Sequence, residues 1–101
     1  MSYQDTLRKH RRLTILRYLA NCAGYTSNAS ILADVVNDFG ITSTRDQITT
    51  ELTWLAENGF VSNRGEGMIV TTATHQGVEI AEGRALHPEI QRPRPGQSAG
   101  F

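Results

Sequence analysis

The chain has one cysteine, one tryptophan, three prolines and no net charge. A lone Cys22 forbids an intrachain disulfide and points to a reducing compartment. Ten Lys and Arg balance ten Asp and Glu, so nothing pulls the whole molecule toward nucleic acid. No apolar run approaches membrane-spanning length, and the N-terminal residues lack the apolar stretch of a signal peptide. A cytoplasmic protein without a membrane partner is the expectation. At 101 residues the chain is one domain, near the lower end of sizes that bury a self-sufficient core. Catalytic chemistry has little to stand on. His10, His75 and His87 are scattered, none sits in a known catalytic spacing with an acid, and no Gly-rich phosphate loop follows a strand. No His/Cys set has metal-ligand spacing. No enzyme, metal or cofactor is expected, and no small-molecule substrate suggests itself.

The charge that is present is unevenly placed. Residues 1–24 carry Arg8, Lys9, Arg11, Arg12 and Arg17 against Asp5, a net +4, whereas residues 25–60 carry Arg45 against five acids, a net −4. The acidic part holds the most organised stretch of the chain, residues 43–61. Ser43 is an N-cap candidate with Asp46 three residues on, near the positive helix end. Ile48, Leu52 and Leu55 share one helical face. Asn58 and Gly59 supply a left-handed stop, and Phe60 and Val61 begin an extended run. A helix with one core stripe, a Gly stop and an immediate strand is how a recognition helix passes into the wing of a winged helix-turn-helix.

The flanking segments fit that plan. A first helix is predicted from residue 2 or 3 to 23, ended by Gly24, with Leu13, Leu16, Leu19, Ala20 and Ala23 facing the core. A second apolar line, Leu7, Ile15, Tyr18 and Cys22, lies opposite, and a helix apolar on two sides must be covered on two sides. A homodimer through this line is the favoured cover. The fourth helix or the tail folding back is the alternative. Residues 25–28 read as a turn, with Ser27 or Asn28 capping a second helix to residue 39, whose Ile31, Leu32, Val35 and Val36 face inward. Gly40 ends it and starts the short turn of a helix-turn-helix. Strands at 60–63 and 68–71 flank Arg64-Gly65-Glu66-Gly67, a hairpin tip. Thr72 or Thr74 caps a last helix reaching residue 84. Gly77 inside it is costly for a helix and marks close packing. Residues 1–85 thus form a mainly α, winged helix-turn-helix domain, with a three-helix core, a two-stranded wing and a C-terminal helix. Residues 86–101 hold all three prolines and form an extended or disordered tail, either solvated or an arm offering Arg92 and Arg94 to a partner or to phosphates.

With Ile48, Leu52 and Leu55 inward, Thr49, Thr50 and Thr53 turn outward, with Thr44, Arg45 and Gln47 at the helix start. These side chains are competent to contact base edges or phosphates of double-stranded DNA, and Arg64 stands near the wing tip. Asp46 and Glu57 on the same face weaken the electrostatic footprint. Arg8, Lys9, Arg11 and Arg12 are candidate backbone contacts if a dimer brings them beside the reading helices, or a solvated face, or a face paired with the acidic second helix of a neighbouring molecule. Trp54, at the edge of the core stripe, sits half-buried or serves as a protein-contact anchor. The rival to DNA binding is therefore a protein-interaction module.

The runs RRLTILRYLANCAGYTSNASILADVV and STRDQITTELTWLAENGFV, with a tail carrying RPRP, resemble small winged-helix proteins of Mu-like phages and prophages, generically named ArsR-type regulators. The resemblance spans residues 7–95. It implies a winged-helix fold and a role in phage transcription or DNA transactions inside a bacterial host cell. ArsR-type metal sensing does not carry over, because the paired thiolate ligands are absent.

Overall fold

The computed structural model describes residues 2–96. The described residues are mainly helical, with four α-helices and one three-stranded antiparallel sheet. The first helix, α1 (Tyr3–Ala20), starts with a capping box. The Ser2 hydroxyl accepts from the Asp5 N–H, and the Asp5 carboxylate accepts from the Ser2 N–H. These bonds hold the Asp5 carboxyl below its ordinary range, with Arg8 adding to the effect. The helix closes earlier than the predicted 23. Asn21 takes the C-cap, and its side-chain amide donates to the Arg17 carbonyl.

Residues 25–28, expected as a turn, contain a strand. After a short 3-10 turn (Ala23–Tyr25) in which Tyr25 itself is left-handed, φ 56°, β1 (Thr26–Asn28) joins the sheet. Three residues are too few for a period-two pattern, and the partner strand lies 46 residues away, so local sequence holds no trace of it. The Thr26 and Thr72 hydroxyls meet across this pair at 2.8 Å. Asn28 caps α2 (Ala29–Asp38), accepting from the Ile31 N–H at 2.9 Å. Leu32 and Val36 are fully buried. Ile31, expected inward, is exposed.

Helix α3 (Arg45–Glu57) begins one residue later than predicted. Thr44 is its N-cap, and Gln47 rather than Asp46 completes the capping box. Ser43 is held elsewhere, accepting from Arg11 Nε at 2.7 Å and donating to the Ile41 carbonyl. Ile48, Leu52 and Leu55 are fully buried, each stabilising by about 1.5–3 kcal/mol on area bookkeeping. The hairpin strands are β2 (Val61–Arg64) and β3 (Val70–Ala73), a register slightly later than predicted, and β3 is central in the order β1-β3-β2. At the tip, Gly65 has φ +96°, and a Cβ there would meet the Met68 carbonyl, so only glycine fits.

Thr74 caps α4 (His75–Ala81), accepting from the Gly77 N–H while donating to the Gly59 carbonyl. A Cβ on Gly77 would collide with the Phe60 carbonyl and press on Leu16, which is the close approach its cost in a helix implied. Helices α2, α3 and α4 and strand β3 all pack against α1. Ile15, assigned above to a subunit interface, is fully buried in this core. Of the second apolar line, the chain buries Ile15 completely by itself. Leu7 and Tyr18 are partly buried against the same core, and Cys22 is half-buried.

The segment from 86 to 96 contains no helix or strand yet is not loose. Ile90 is buried, and the Gln91 N–H donates to the Lys9 carbonyl at 3.1 Å. Residues 97–101 of the expected tail lie outside the described residues.

Three parts of the fold meet at one buried ionic cluster. Glu51 on α3 accepts from Arg12 Nε at 2.7 Å and faces Arg11 Nη1 at 3.6 Å. Arg12 also donates to the Glu89 carbonyl of the tail at 2.9 Å. Arg11, Arg12 and Glu51 are 4%, 5% and 3% exposed. Burial pulls the Arg11 guanidinium below its ordinary value and Glu51 opposes this, but an arginine stays charged in proteins. Glu51→Gln leaves two buried cations without a counter-charge. It should destabilise the fold by about 3–5 kcal/mol, read as a lower urea midpoint with unchanged slope. Stability within 1 kcal/mol of wild type, roughly the size of a surface pair, would contradict this account of the cluster.

Candidate functional site

The exposed polar face of α3 and the hairpin beside it form the candidate site. Asn63 on β2 donates from its amide to the Leu52 carbonyl at 2.9 Å, which anchors the hairpin to α3. Farther out, Arg45 Nη2 approaches Met68 Sδ at 3.9 Å, so the helix start and the hairpin tip touch. Arg45, Thr50 and Thr53 are exposed and Thr49 is half-buried. The Thr53 hydroxyl donates to the Thr49 carbonyl at 3.1 Å, leaving its lone pairs to accept. Thr44 and Gln47 are exposed, but each side chain bonds the other's backbone N–H. Their first task is to cap the helix. Arg64, at the end of β2, is exposed on the hairpin.

The first-helix cations divide into two groups. Arg8 lines a shallow cleft with Gln4, Asp46, Gln47 and Thr50, so it shares a surface with the start of α3. It is half-exposed and pairs with Asp5 at 2.9 Å. Lys9 is half-buried. Arg11 and Arg12, expected above as candidate backbone contacts, are buried against Glu51, and Arg11 and Glu51 reach the floor of the same cleft. The spacing carried that signal. Glu51 lies three residues after Ile48 and four before Leu55, hence beside the buried stripe, and a carboxylate there needs cationic partners.

Trp54 is half-buried and has its neighbours inside the chain. The Arg12 guanidinium lies 3.7 Å from its ring centroid, and His87 meets it edge-on at 5.3 Å. Phe60 stands 6.4 Å away and also receives the edge of His87 at 5.6 Å. A ring covered on these sides is a packing element. The other histidines lie apart from this one: His75 faces Glu79 at 3.3 Å, and His10 lies on α1. Among the described residues no group of three or more His, Cys, Asp and Glu could hold a metal ion, and no helix is long and apolar enough to cross a membrane.

Fold and site together define a small, mainly helical domain that presents one polar helix face beside a β-hairpin. The chain belongs to the family of protein gp26 of Escherichia phage Mu, to which it is 40% identical over 92 residues, 90% of this chain and 95% of gp26. It is also 33% identical to a protein of Haemophilus influenzae over 78 residues, 75% of this chain and 76% of that one. Both relatives are described only as uncharacterized proteins, so they supply a phage lineage and no activity. That lineage agrees with the resemblance drawn from the sequence, although neither name mentions a winged helix or an ArsR-type regulator. No family model matches the chain, and no solved structure matches it.

Trp54 is the only tryptophan, so its fluorescence reports the tail that covers it. His87→Ala removes two edge-to-face contacts. It should red-shift the emission and lower stability by about 1–2 kcal/mol. An unshifted spectrum would mean that His87 does not shield the ring.

Proposed function

We propose that this protein is a non-enzymatic, double-stranded-DNA-binding regulator of phage origin, with a winged helix-turn-helix architecture. The observation that carries the proposal is the contact between the α3 start and the hairpin tip. It makes one continuous surface of a polar helix face and an adjoining loop, the pairing needed to fill a major groove and reach its edge. The element order supports it as well, with α2 and α3 joined by a short turn and the hairpin following α3 directly. In this reading Arg45, Thr49, Thr50 and Thr53 contact base edges or the phosphates beside them. Arg64 touches the backbone from the hairpin, and Arg8 does so from the other flank.

The charge balance of the surface shapes the expected binding. Arg45, Arg64 and Arg8 are offset by Asp46, Glu57 and Glu66, and three first-helix arginines, Arg11, Arg12 and Arg17, are buried. Non-specific affinity is then weak, with a salt slope of about −2 to −3 for two or three neutralised phosphates. A specific observation also favours a second reading. The acids Asp46, Glu57 and Glu66 are all exposed, which suits a basic protein partner on the same face. Such a module would bind no duplex at any salt concentration.

Fluorescence anisotropy with random duplex DNA at low and physiological salt separates the two, and selection from a random pool then supplies the site. On the selected site Arg45→Ala should cost about 1–3 kcal/mol, and Arg64→Ala should weaken all sequences alike while reducing the salt slope by about 1. Absence of duplex binding even at low salt would sink the DNA reading and leave the protein-partner one.

A further inference from the structure

At the hairpin tip an apolar side chain faces outward from a fixed backbone. Met68 is 41% exposed. On one side a Cβ at Gly65 would collide with the Met68 carbonyl, so the loop closes tightly against this residue. On the other side the Ile69 carbonyl accepts from the Ala29 N–H at 2.9 Å. Isolated exposed apolar side chains are ordinary on protein surfaces. This one differs in being held by a braced turn and in touching a cation at the start of α3, with Arg45 Nη2 3.9 Å from Met68 Sδ. A guanidinium carries five N–H donors in one plane, so one N–H turned to the sulfur still leaves a planar pair to face outward.

We propose that Arg45 and Met68 together read one step of duplex DNA, a guanine with a thymine in the neighbouring base pair. The assignment rests on the duplex-binding reading of the α3 face and adds which bases that face meets. Guanine alone offers two acceptors, N7 and O6, on its major-groove edge, the match for a guanidinium fork. Thymine alone places a methyl group there. A thioether is soft and polarisable and adapts to irregular apolar surface. It has no donor for a phosphate and accepts only weakly, so a methyl is the part of a duplex it suits. Successive bases of a strand lie about 3.4 Å apart along the axis, close to the 3.9 Å between Nη2 and Sδ. Two groups so spaced match neighbouring base pairs. Packing of the thioether on the methyl also keeps water from one edge of the guanidinium, which strengthens the hydrogen bonds it makes to guanine.

The test uses the full chain and the duplex selected from a random pool, with each thymine in turn replaced by deoxyuridine. That exchange removes the C5-methyl and leaves every hydrogen bond of the base pair in place. One replacement should weaken binding about fourfold, the worth of one buried methyl. Its neighbour should be a guanine that Arg45→Ala no longer distinguishes from other bases. Met68→Ala changes an exposed loop residue and should keep the wild-type circular dichroism. It should bind the thymine duplex at least about fourfold more weakly and show no further loss with deoxyuridine at that position, the coupling expected of two groups in contact. Equal binding of every deoxyuridine duplex, a penalty that persists in Met68→Ala, or a sensitive thymine away from the Arg45 guanine overturns the assignment. In each of those cases Arg45→Ala still weakens binding to the selected duplex, and the wider DNA reading stands. Failure to select or bind any duplex overturns both.

Discussion

Glu51 is the point on which the arrangement of the helices depends. One buried carboxylate neutralises Arg12 directly and Arg11 at longer range, and the two arginines leave it in different directions. Arg11 continues to Ser43 and the Thr42 carbonyl, at the turn before α3. Arg12 continues to the Glu89 carbonyl and the face of Trp54. A buried ion pair is weak evidence for net stability, because desolvation offsets much of the Coulomb gain. Its geometric effect is stronger. Guanidinium and carboxylate have fixed directions, so satisfying these donors sets the start of α3, the height of the tail and the tilt of the indole together. Apolar packing alone is more tolerant of sliding.

The cluster also revises what the charge distribution means. A cationic first helix followed by an acidic middle suggests two surfaces of opposite sign, yet much of that contrast is consumed inside the fold. Arg11, Arg12 and Arg17 are buried, and Glu51 leaves the acidic count of the α3 surface. The outward face of α3 and the hairpin is consequently nearly balanced rather than acidic. Electrostatics on this face can orient a partner but supplies little affinity, so recognition would rest on shape and on individual hydrogen bonds.

Much of the fold was legible because its signals are local. The Ile48, Leu52 and Leu55 stripe, the Asn28 and Thr74 caps (each one of two candidates) and the glycine tip of the hairpin follow from spacing and backbone chemistry within a few residues. The features that escaped depend on distant partners. Strand β1 exists because Thr26–Asn28 meet β3, and three polar residues announce nothing alone. Ile90 is a single apolar residue among prolines and arginines, and only its burial in the folded core makes it a core residue. Ile15 lay on a real second apolar line of α1, but periodicity cannot tell whether that line is covered by the same chain or by another. The exposure of the candidate face was legible to a similar degree. The outward positions of α3 followed from the stripe, whereas the engagement of Thr44 and Gln47 in capping required knowing that the helix starts one residue later.

The tail joins these threads. Its composition argues against a core, yet Ile90 is buried in the core, the Glu89 carbonyl accepts from Arg12, and His87 meets the rings of Trp54 and Phe60. The three contacts are chemically unlike and fall within four residues, so no shift of register satisfies them together. That constraint fixes the segment without secondary structure, and it carries Arg92 and Arg94 to the flank of α1 where Arg17 already stands. A segment that looks like a solvated arm is thus part of the scaffold, and the charge it carries is directed rather than free.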